Sequence, residues 1–379
     1  MSKMKRIFSL AVAALLVFAF TACHEAGEVV MTVDGIEIPS GLYLAIQMSA
    51  FDEFTGQVNE SLGADTTVSS ISDYQQQRLD DKDFRTWIND RTMELCLEYA
   101  AVQRLCEQYE VSLTDEEKDA VQQYSDYYWE NGYGTFYEAN GIGRTSFDTL
   151  NLFTELRTKL FYFYYDQPDE ETQKGGINAV PEEEIMTGYN DNYILADFFS
   201  VPLTDENSQT LSDEAKQELE TQLNDYAKRI NDGDATFTQI QEEYEQEQGT
   251  SDDTTSSTAD DTTDDTEKSA KFPNAQVVSS LSQDTTIYDL FKSVKSADGF
   301  AYERAYFVTG ANAYYLTVIH DITTDEFYTD NEQYRRQIIS LLRADAYTTL
   351  LSDQGKTYTV ETDDSLIRYY NPNNIKEVA

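Results

Sequence analysis

Residues 193–201 constrain the fold of this chain more than any other stretch. They are rich in aromatic and branched side chains and are followed directly by Pro202, which is the pattern of a largely buried β-strand. A polar loop and a long helix come next, and the apolar stripe of that helix is formed by Ala215, Leu219, Leu223, Tyr226 and Ile230. With a return strand at 313–319, this order predicts a small α/β domain between two mainly helical segments.

The composition supports folded domains and argues against two classes of partner. A chain of 379 residues, 40% hydrophobic and 13% aromatic, can build the cores of two or three domains. Its 70 acidic and 27 basic residues give a formal net charge of −43. Nucleic-acid binding requires clustered Lys and Arg, and an anionic membrane surface repels acidic protein. We therefore expect no nucleic-acid partner and no broad contact with anionic lipid.

The first 22 residues have the form of a secretory signal peptide. Basic residues precede an apolar run at 7–20, and small residues precede Cys23. The sequence Phe20-Thr21-Ala22-Cys23 resembles a bacterial lipobox, although Phe20 stands where Leu is usual. This resemblance implies that acyl chains on Cys23 anchor the mature protein to the extracytoplasmic face of a membrane in a bacterial cell envelope. The alternative is an ordinary cleaved signal in which Cys23 is incidental.

The remaining cysteines and the histidines predict neither a disulfide nor a metal site. Cys96 and Cys106 lie on one predicted helix, 84–109, about 15 Å apart along its axis, which is too far for a disulfide. They are expected to be small core residues. The only histidines are His24 and His320, and without a cysteine cluster they make a zinc site improbable. We expect no metal and no cofactor.

Several phrases of the sequence follow one another as they do in a known family. These are VVMTVDGIEIPSGLYLAIQ at 29–47, a hairpin with a tight Asp-Gly turn before a helix; Leu-Thr-Asp-Glu-Glu at 113–117, between two helices; Val-Pro-Glu-Glu-Glu-Ile at 180–185; Gly233 and Phe237 after a helix; and a last hairpin at 305–319. In this order they resemble the PrsA/SurA family of extracytoplasmic foldases, which carry a parvulin-type peptidyl-prolyl isomerase domain.

The resemblance implies an α+β fold with a discontinuous chaperone domain. The mainly helical segment 23–192 would be completed by 326–379, and a parvulin-like α/β domain would be inserted at 193–325. A Thr, Ser and Asp-rich stretch, about 246–269, stands where parvulins have Gly-Gly-Asp-Leu-Gly. Such a stretch lacks apolar side chains to bury, so we predict that it is disordered.

The two signature histidines of the family are both replaced in the alignment. Phe198 falls on the first and Tyr315 on the second, while His320 lies several residues beyond. No catalytic residue is therefore predicted, and the isomerase site is expected to be degenerate. The aromatic residues Phe198, Phe291, Phe307 and Tyr315 either form an apolar groove for peptide or fill the core. An active isomerase in which Tyr315, Asp197 or His320 replaces the histidines is the alternative.

Residues 124–165 hold an unusual number of aromatic side chains. Most keep helical spacing and are expected in the core, but the surplus of tyrosines points to a surface for extended segments of other proteins. The candidates are Tyr127, Tyr128 and Trp129. The resemblance implies that the partners are unfolded or nascent exported polypeptides. A surface scaffold lipoprotein that binds no unfolded chains is the third hypothesis.

Overall fold

The computed structural model describes residues 27–62, 68, 70–169, 172–205, 207–248, 269, 271–297 and 299–377. The signal peptide, Cys23 and nearly all of the acidic stretch lie outside these residues. The chain is an α+β protein that divides into two compact units. The first unit is made of the chain up to Ala179 and from Arg343 onward, and the second is Val180–Leu342. The sequence analysis placed the corresponding boundaries at 193 and 325.

The first unit combines two small sheets with long helices. Its strands are β1 (Val29–Val33), β2 (Ile36–Pro39), β3 (Arg78–Leu79), β4 (Lys82–Asp83) and β9 (Val360–Thr362). Its helices are α1 (Ser40–Leu62), α2 (Ile71–Tyr74), α3 (Phe84–Tyr109), α4 (Asp115–Tyr128), α5 (Gly134–Ala139), α6 (Arg144–Tyr165) and α13 (Asp364–Tyr369), with a π-helical turn at Trp129–Tyr133 and a 3₁₀ turn at Pro372–Asn374.

Local sequence signals account for the start of this unit. Asp34 and Gly35 have φ angles of 50° and 80°, the left-handed conformation that a two-residue hairpin turn requires. The turn joins β1 to β2, and β9 pairs antiparallel with the other edge of β1. Thr114 caps α4 in a reciprocal pair with Glu117, as the Leu-Thr-Asp-Glu-Glu phrase predicts.

The second unit is built on one antiparallel sheet. Its strands are β5 (Tyr193–Pro202), β6 (Gln276–Ser279), β7 (Arg304–Thr309) and β8 (Ala313–His320), in the order β6-β5-β8-β7. Its helices are α7 (Glu182–Asn192), α8 (Asp213–Asn231), α9 (Phe237–Glu247), α10 (Thr286–Lys292) and α11 (Glu326–Thr329), with a 3₁₀ turn at Ile322–Thr324. The unit boundary falls inside α12 (Glu332–Gly355), which has residues in both units.

The two faces of this sheet carry separate hydrophobic cores. On one face, Leu223, Tyr226, Phe237 and Ile240 of α8 and α9 pack against the strands. On the other face, Tyr288 and Phe291 of α10 do so. Successive side chains of a strand point to opposite faces of the sheet. Within each strand, odd-numbered and even-numbered residues therefore join different cores.

The sequence predicted the long elements better than the connections. Strand β5 and helix α3 lie where they were expected, and Cys96 and Cys106 are buried and free. Residues 55–81 are polar, with Gly, Ser, Thr and Asp, which predicts a loop or a weak helix. That prediction is wrong in part, because α1 continues to Leu62 and the hairpin β3-β4 follows. Among the described residues, no helix has the length and apolar character needed to cross a membrane.

Candidate functional site

The two positions aligned with the family histidines lie on one face of the second unit's sheet. Phe198 is opposite Thr317 in the β5-β8 register, and Tyr315 is opposite Ser200. Phe291 of α10 packs between them, with its ring centroid 5.0 Å from Phe198 and 5.9 Å from Tyr315. Both contacts are edge-to-face, which is a favourable geometry for aromatic pairs. The structure therefore brings together three of the four predicted groove residues.

This face offers apolar surface and little chemistry. Phe291 is fully buried, whereas Phe198 and Tyr315 are half-buried. Partly buried apolar neighbours extend the face, among them Val278, Ile287, Leu290 and Tyr306. The hydroxyl oxygen of Thr317 is buried and has no hydrogen-bond partner in the described part of the chain. The described side chains that pack in this aromatic group are apolar or aromatic, so the group can hold an apolar side chain.

Phe307 does not belong to this group, which corrects the predicted set of four. It is paired with Leu316 in the β7-β8 register, and it packs on the other face of the sheet, where its ring lies 5.1 Å from Tyr314. The prediction grouped aromatic residues by their strands and did not apply the two-residue alternation of side chains across the sheet.

His320 forms a polar group with Asp197 and Glu303, on the side of the sheet opposite Phe198. Its Nδ1 atom lies 3.0 Å from both carboxylate oxygens of Glu303, and its Nε2 atom lies 3.2 Å from Oδ2 of Asp197. The imidazole stacks on Phe272 at a centroid distance of 4.2 Å. Only 6% of the His320 side chain is exposed.

The carboxylates favour the charged form of this histidine. Burial by itself lowers the pKa of His320, but hydrogen bonds and charge from Asp197 and Glu303 raise it, and the net shift is upward. Each ring nitrogen faces a carboxylate, and this arrangement favours the form in which both nitrogens donate hydrogen bonds. The second carboxylate oxygen of Asp197 is buried and has no hydrogen-bond partner in the parts of the chain that the structure describes. His320 is thus a buried imidazole held between two carboxylates that favour its charged form.

The alternative in which Asp197 or His320 replaces the family histidines on the aromatic face is not supported by this geometry. Asp197 is adjacent to Phe198 in the strand and therefore points to the other side of the sheet. His320 shares that side with Asp197. Of the three substitutes considered from the sequence, only Tyr315 lies with Phe198 and Phe291.

A group of tyrosines is exposed at the end of α4 in the first unit. We call Tyr124, Tyr127, Tyr128 and Tyr133 the tyrosine cluster. The ring of Tyr128 lies 4.3 Å from Tyr124, 5.3 Å from Tyr127 and 5.5 Å from Tyr133. Tyr124, Tyr127 and Tyr133 are 54%, 62% and 51% exposed. The sequence analysis singled out Tyr127 and Tyr128, whereas the helical spacing of Tyr124 and Tyr128 is the signal that would have added Tyr124.

Trp129, the third aromatic candidate of this region, has a different environment. Its ring packs on Phe147 at 5.4 Å, and the guanidinium of Arg144 lies over it at 5.6 Å. A Cβ atom on Gly134 would come within 2.6 Å of the Trp129 carbonyl oxygen, so the chain turns tightly around this side chain. Trp129 lies in the turn after α4. Its side chain is half-buried, and its ring contacts the core at Phe147.

Comparisons with known proteins find similar proteins only among solved structures. No protein-family model and no curated protein matches the chain. It is similar to the foldase PrsA of Lactococcus lactis, at 12% identity and a TM-score of 0.34, over 91% of this chain and 100% of that chain. It is similar to the foldase PrsA of Streptococcus pneumoniae, at 13% identity and a TM-score of 0.35, over 80% of this chain and 97% of that one.

A third similar structure is the peptidylprolyl isomerase PrsA of Bacillus anthracis, at 13% identity and a TM-score of 0.24, over 69% of this chain and 96% of that one. All three bear the name of the family that the sequence resembles. At these identities and TM-scores, neither residues nor chemistry can be transferred from them, so the function has to be argued from the side chains of this chain.

Proposed function

We propose that this protein is a lipid-anchored extracytoplasmic chaperone that binds unfolded exported polypeptides and has lost the isomerase site. The observation that carries the proposal is the tyrosine cluster, in which three rings are more than half exposed. Exposed aromatic groups of this kind mark interaction surfaces in soluble proteins. Binding would lie in a discontinuous helical domain, formed by the first unit, and anchoring would depend on Cys23.

The cluster suits a partner without a defined fold. A tyrosine ring offers a large apolar body with only two side-chain torsions, so little conformational entropy is lost when it binds. Contacts with Tyr128 already restrict Tyr124, Tyr127 and Tyr133. Such a surface can contact the apolar side chains of many sequences, because it requires neither a particular backbone conformation nor a particular hydrogen-bond pattern.

Substitution of the three exposed tyrosines of the tyrosine cluster should remove most of the chaperone activity. We expect the full chain to suppress aggregation of a reduced, unfolded secreted protein. In the variant Tyr124→Ser/Tyr127→Ser/Tyr133→Ser, half-maximal suppression should require at least about tenfold more protein, since each buried aromatic anchor is commonly worth 1 kcal/mol or more. Light scattering against chaperone concentration measures this effect.

Tyr369 provides the matched control for this experiment. It is 72% exposed and also belongs to the first unit, but it lies outside the tyrosine cluster. Tyr369→Ser should leave suppression unchanged, whereas Tyr127→Ser alone should weaken it. Equal effects of these two single substitutions would contradict a specific role of the cluster. No suppression by the unaltered protein in stoichiometric excess would instead favour the scaffold hypothesis.

The isomerase function is expected to be absent. Proline isomerisation is opposed by a barrier of about 18–20 kcal/mol from amide resonance. The described residues packed around Phe198 and Tyr315 include no imidazole to assist the twisted amide. A proline peptide should therefore isomerise at its uncatalysed rate in the presence of the protein. Acceleration that disappears in Phe198→Asp would establish the alternative, an active isomerase with a non-standard site.

A further inference from the structure

The surroundings of the tyrosine cluster are strongly acidic. Between positions 115 and 138 the only basic residue is Lys118. The acidic residues of this segment are Asp115, Glu116, Glu117, Asp119, Asp126, Glu130 and Glu138. Ion pairs already occupy three of them, since Asp115 contacts Lys118, Glu117 contacts Lys159 and Asp126 contacts Arg144.

The other four carboxylates are exposed and unpaired. Within the described ranges, Glu116, Asp119, Glu130 and Glu138 have no ion-pair partner, and all four face solvent. Lys118 does not face Glu116 or Asp119 along α4, because it is two residues from the first and one from the second, about 200° and 100° of helical rotation. The negative charge beside the tyrosines is therefore not neutralised locally.

Two of these carboxylates share a helix face with an exposed tyrosine. Glu116, Asp119, Gln123 and Tyr127 follow one another at spacings of three and four residues, which places them on one side of α4. Eleven residues separate Glu116 from Tyr127, or about 16 Å along the helix. An extended polypeptide covers that distance in about five residues, at about 3.3 Å each.

Charge decides which occupant this surface favours. The acidic stretch of this same chain carries six aspartates between 252 and 265, and a second copy carries the same net charge of −43. Both would be repelled, as would an anionic lipid surface. A cationic segment is attracted, and its Lys or Arg side chains can also lie over the exposed tyrosine rings.

We propose that the tyrosine cluster selects unfolded segments in which a basic side chain lies about five residues from an aromatic or aliphatic one. The basic group pairs with Glu116 or Asp119 while the apolar group packs on Tyr127 and Tyr124. This selectivity rests on the proposed chaperone function and names the class of polypeptide bound. It also explains how an acidic surface avoids the acidic parts of its own chain.

The test compares two unstructured, fluorescently labelled peptides. They share one Phe and one Leu, and they differ only in having Lys or Glu five residues from the Phe. Fluorescence anisotropy with the full chain should give about tenfold tighter binding of the Lys peptide at about 0.01 M ionic strength, where the Debye length is about 30 Å. The ratio should fall below about twofold near 1 M, where the Debye length is about 3 Å.

Two double variants separate local charge from total charge. Glu116→Gln/Asp119→Asn should remove most of the discrimination, because it weakens binding of the Lys peptide and relieves the repulsion of the Glu peptide. Glu28→Gln/Glu361→Gln removes the same charge from exposed positions elsewhere in the first unit and should preserve the ratio. Equal loss of discrimination in both variants would overturn the inference, because the overall field of the protein would then account for it.

The outcomes also distinguish this inference from the function on which it rests. If both peptides bind equally and Tyr127→Ser weakens both, the selectivity is wrong and the chaperone surface stands. If neither peptide binds and aggregation is not suppressed, the proposed function fails and the inference fails with it. Discrimination that survives Glu116→Gln/Asp119→Asn would also refute the assigned contacts.

Discussion

Replacement of Arg91 by Met is expected to lower the free energy of unfolding of the first unit by about 3–5 kcal/mol. The Arg91 guanidinium contacts Glu53 at 2.6 Å, Glu94 at 3.1 Å and Glu98 at 3.2 Å. The Glu98 side chain is only 6% exposed, and its other cation, Arg157, is 4.0 Å away. Without Arg91, Glu98 is a buried carboxylate that has lost its closest counter-charge.

Tryptophan fluorescence during urea unfolding measures this effect selectively. The two tryptophans, Trp87 and Trp129, both belong to the first unit, so their signal follows that unit alone. Arg104 on the same helix is the matched control, because its side chain is 34% exposed and pairs with Asp34 and Glu107 at the surface. Arg104→Met should lower the free energy of unfolding by about 1 kcal/mol or less.

A second substitution tests the assigned cause. In Arg91→Met/Glu98→Gln the buried group is neutral, so part of the lost stability should return. If Arg91→Met were no more destabilising than Arg104→Met, the buried ion pair would not be stabilising the helices. If the double variant were less stable than Arg91→Met alone, the loss would come from packing and hydrogen bonding, not from an uncompensated charge.

His320 is expected to stabilise the second unit below about pH 6.5 and to lose that contribution as the pH rises through its raised folded pKa. Its pKa is raised in the folded chain because Asp197 and Glu303 outweigh the opposing effect of burial. A basic group whose pKa is higher in the folded chain adds its full share to the free energy of unfolding at pH values below its unfolded pKa, which is about 6.5 for His. That share disappears as the pH rises through the pKa of the folded state. The hydrogen bonds of His320 with Asp197 and Glu303 involve charged groups, so we expect them to add about 2–3 kcal/mol in total to the free energy of unfolding.

The titration can be followed directly by NMR. Since the chain contains only two histidines, His24 and His320, the imidazole resonances are simple to assign with a His320→Gln variant. The folded midpoint should lie above 6.5, and the stability difference between the parent and His320→Gln should shrink as the pH rises above that value. A midpoint at or below about 6.5 would show that burial outweighs the carboxylates.

The sequence predicted those features of the site that depend on local spacing. The run of aromatic and branched residues closed by Pro202 predicts β5, and the helix predicted over 84–109 is observed as α3 with those bounds. The presence of Tyr127 and Tyr128 in an aromatic surplus could also be recognised. Their exposure could not, because an aromatic residue on a helix is buried or exposed according to which neighbouring helix covers it.

Long-range contacts could not be predicted from the sequence, for a related reason. His320 meets Glu303 across 17 positions and Asp197 across 123, and these separations carry no periodic signal. The same limitation misplaced Phe307, whose neighbours depend on the register between β7 and β8. Strand register is fixed by the packing of both sheet faces, and that packing involves helices distant in sequence.

The sequence by itself therefore determined the tight Asp34-Gly35 turn, the acidic character and most types of element, and it predicted that Phe198 and Tyr315 stand at the positions of the family histidines. Only the tertiary structure decided that Phe198, Phe291 and Tyr315 share a face, that His320 is enclosed by carboxylates, and that the tyrosine cluster remains exposed. Local patterns arise from backbone geometry within a few residues, whereas burial and charge pairing depend on segments that only the folded chain brings together.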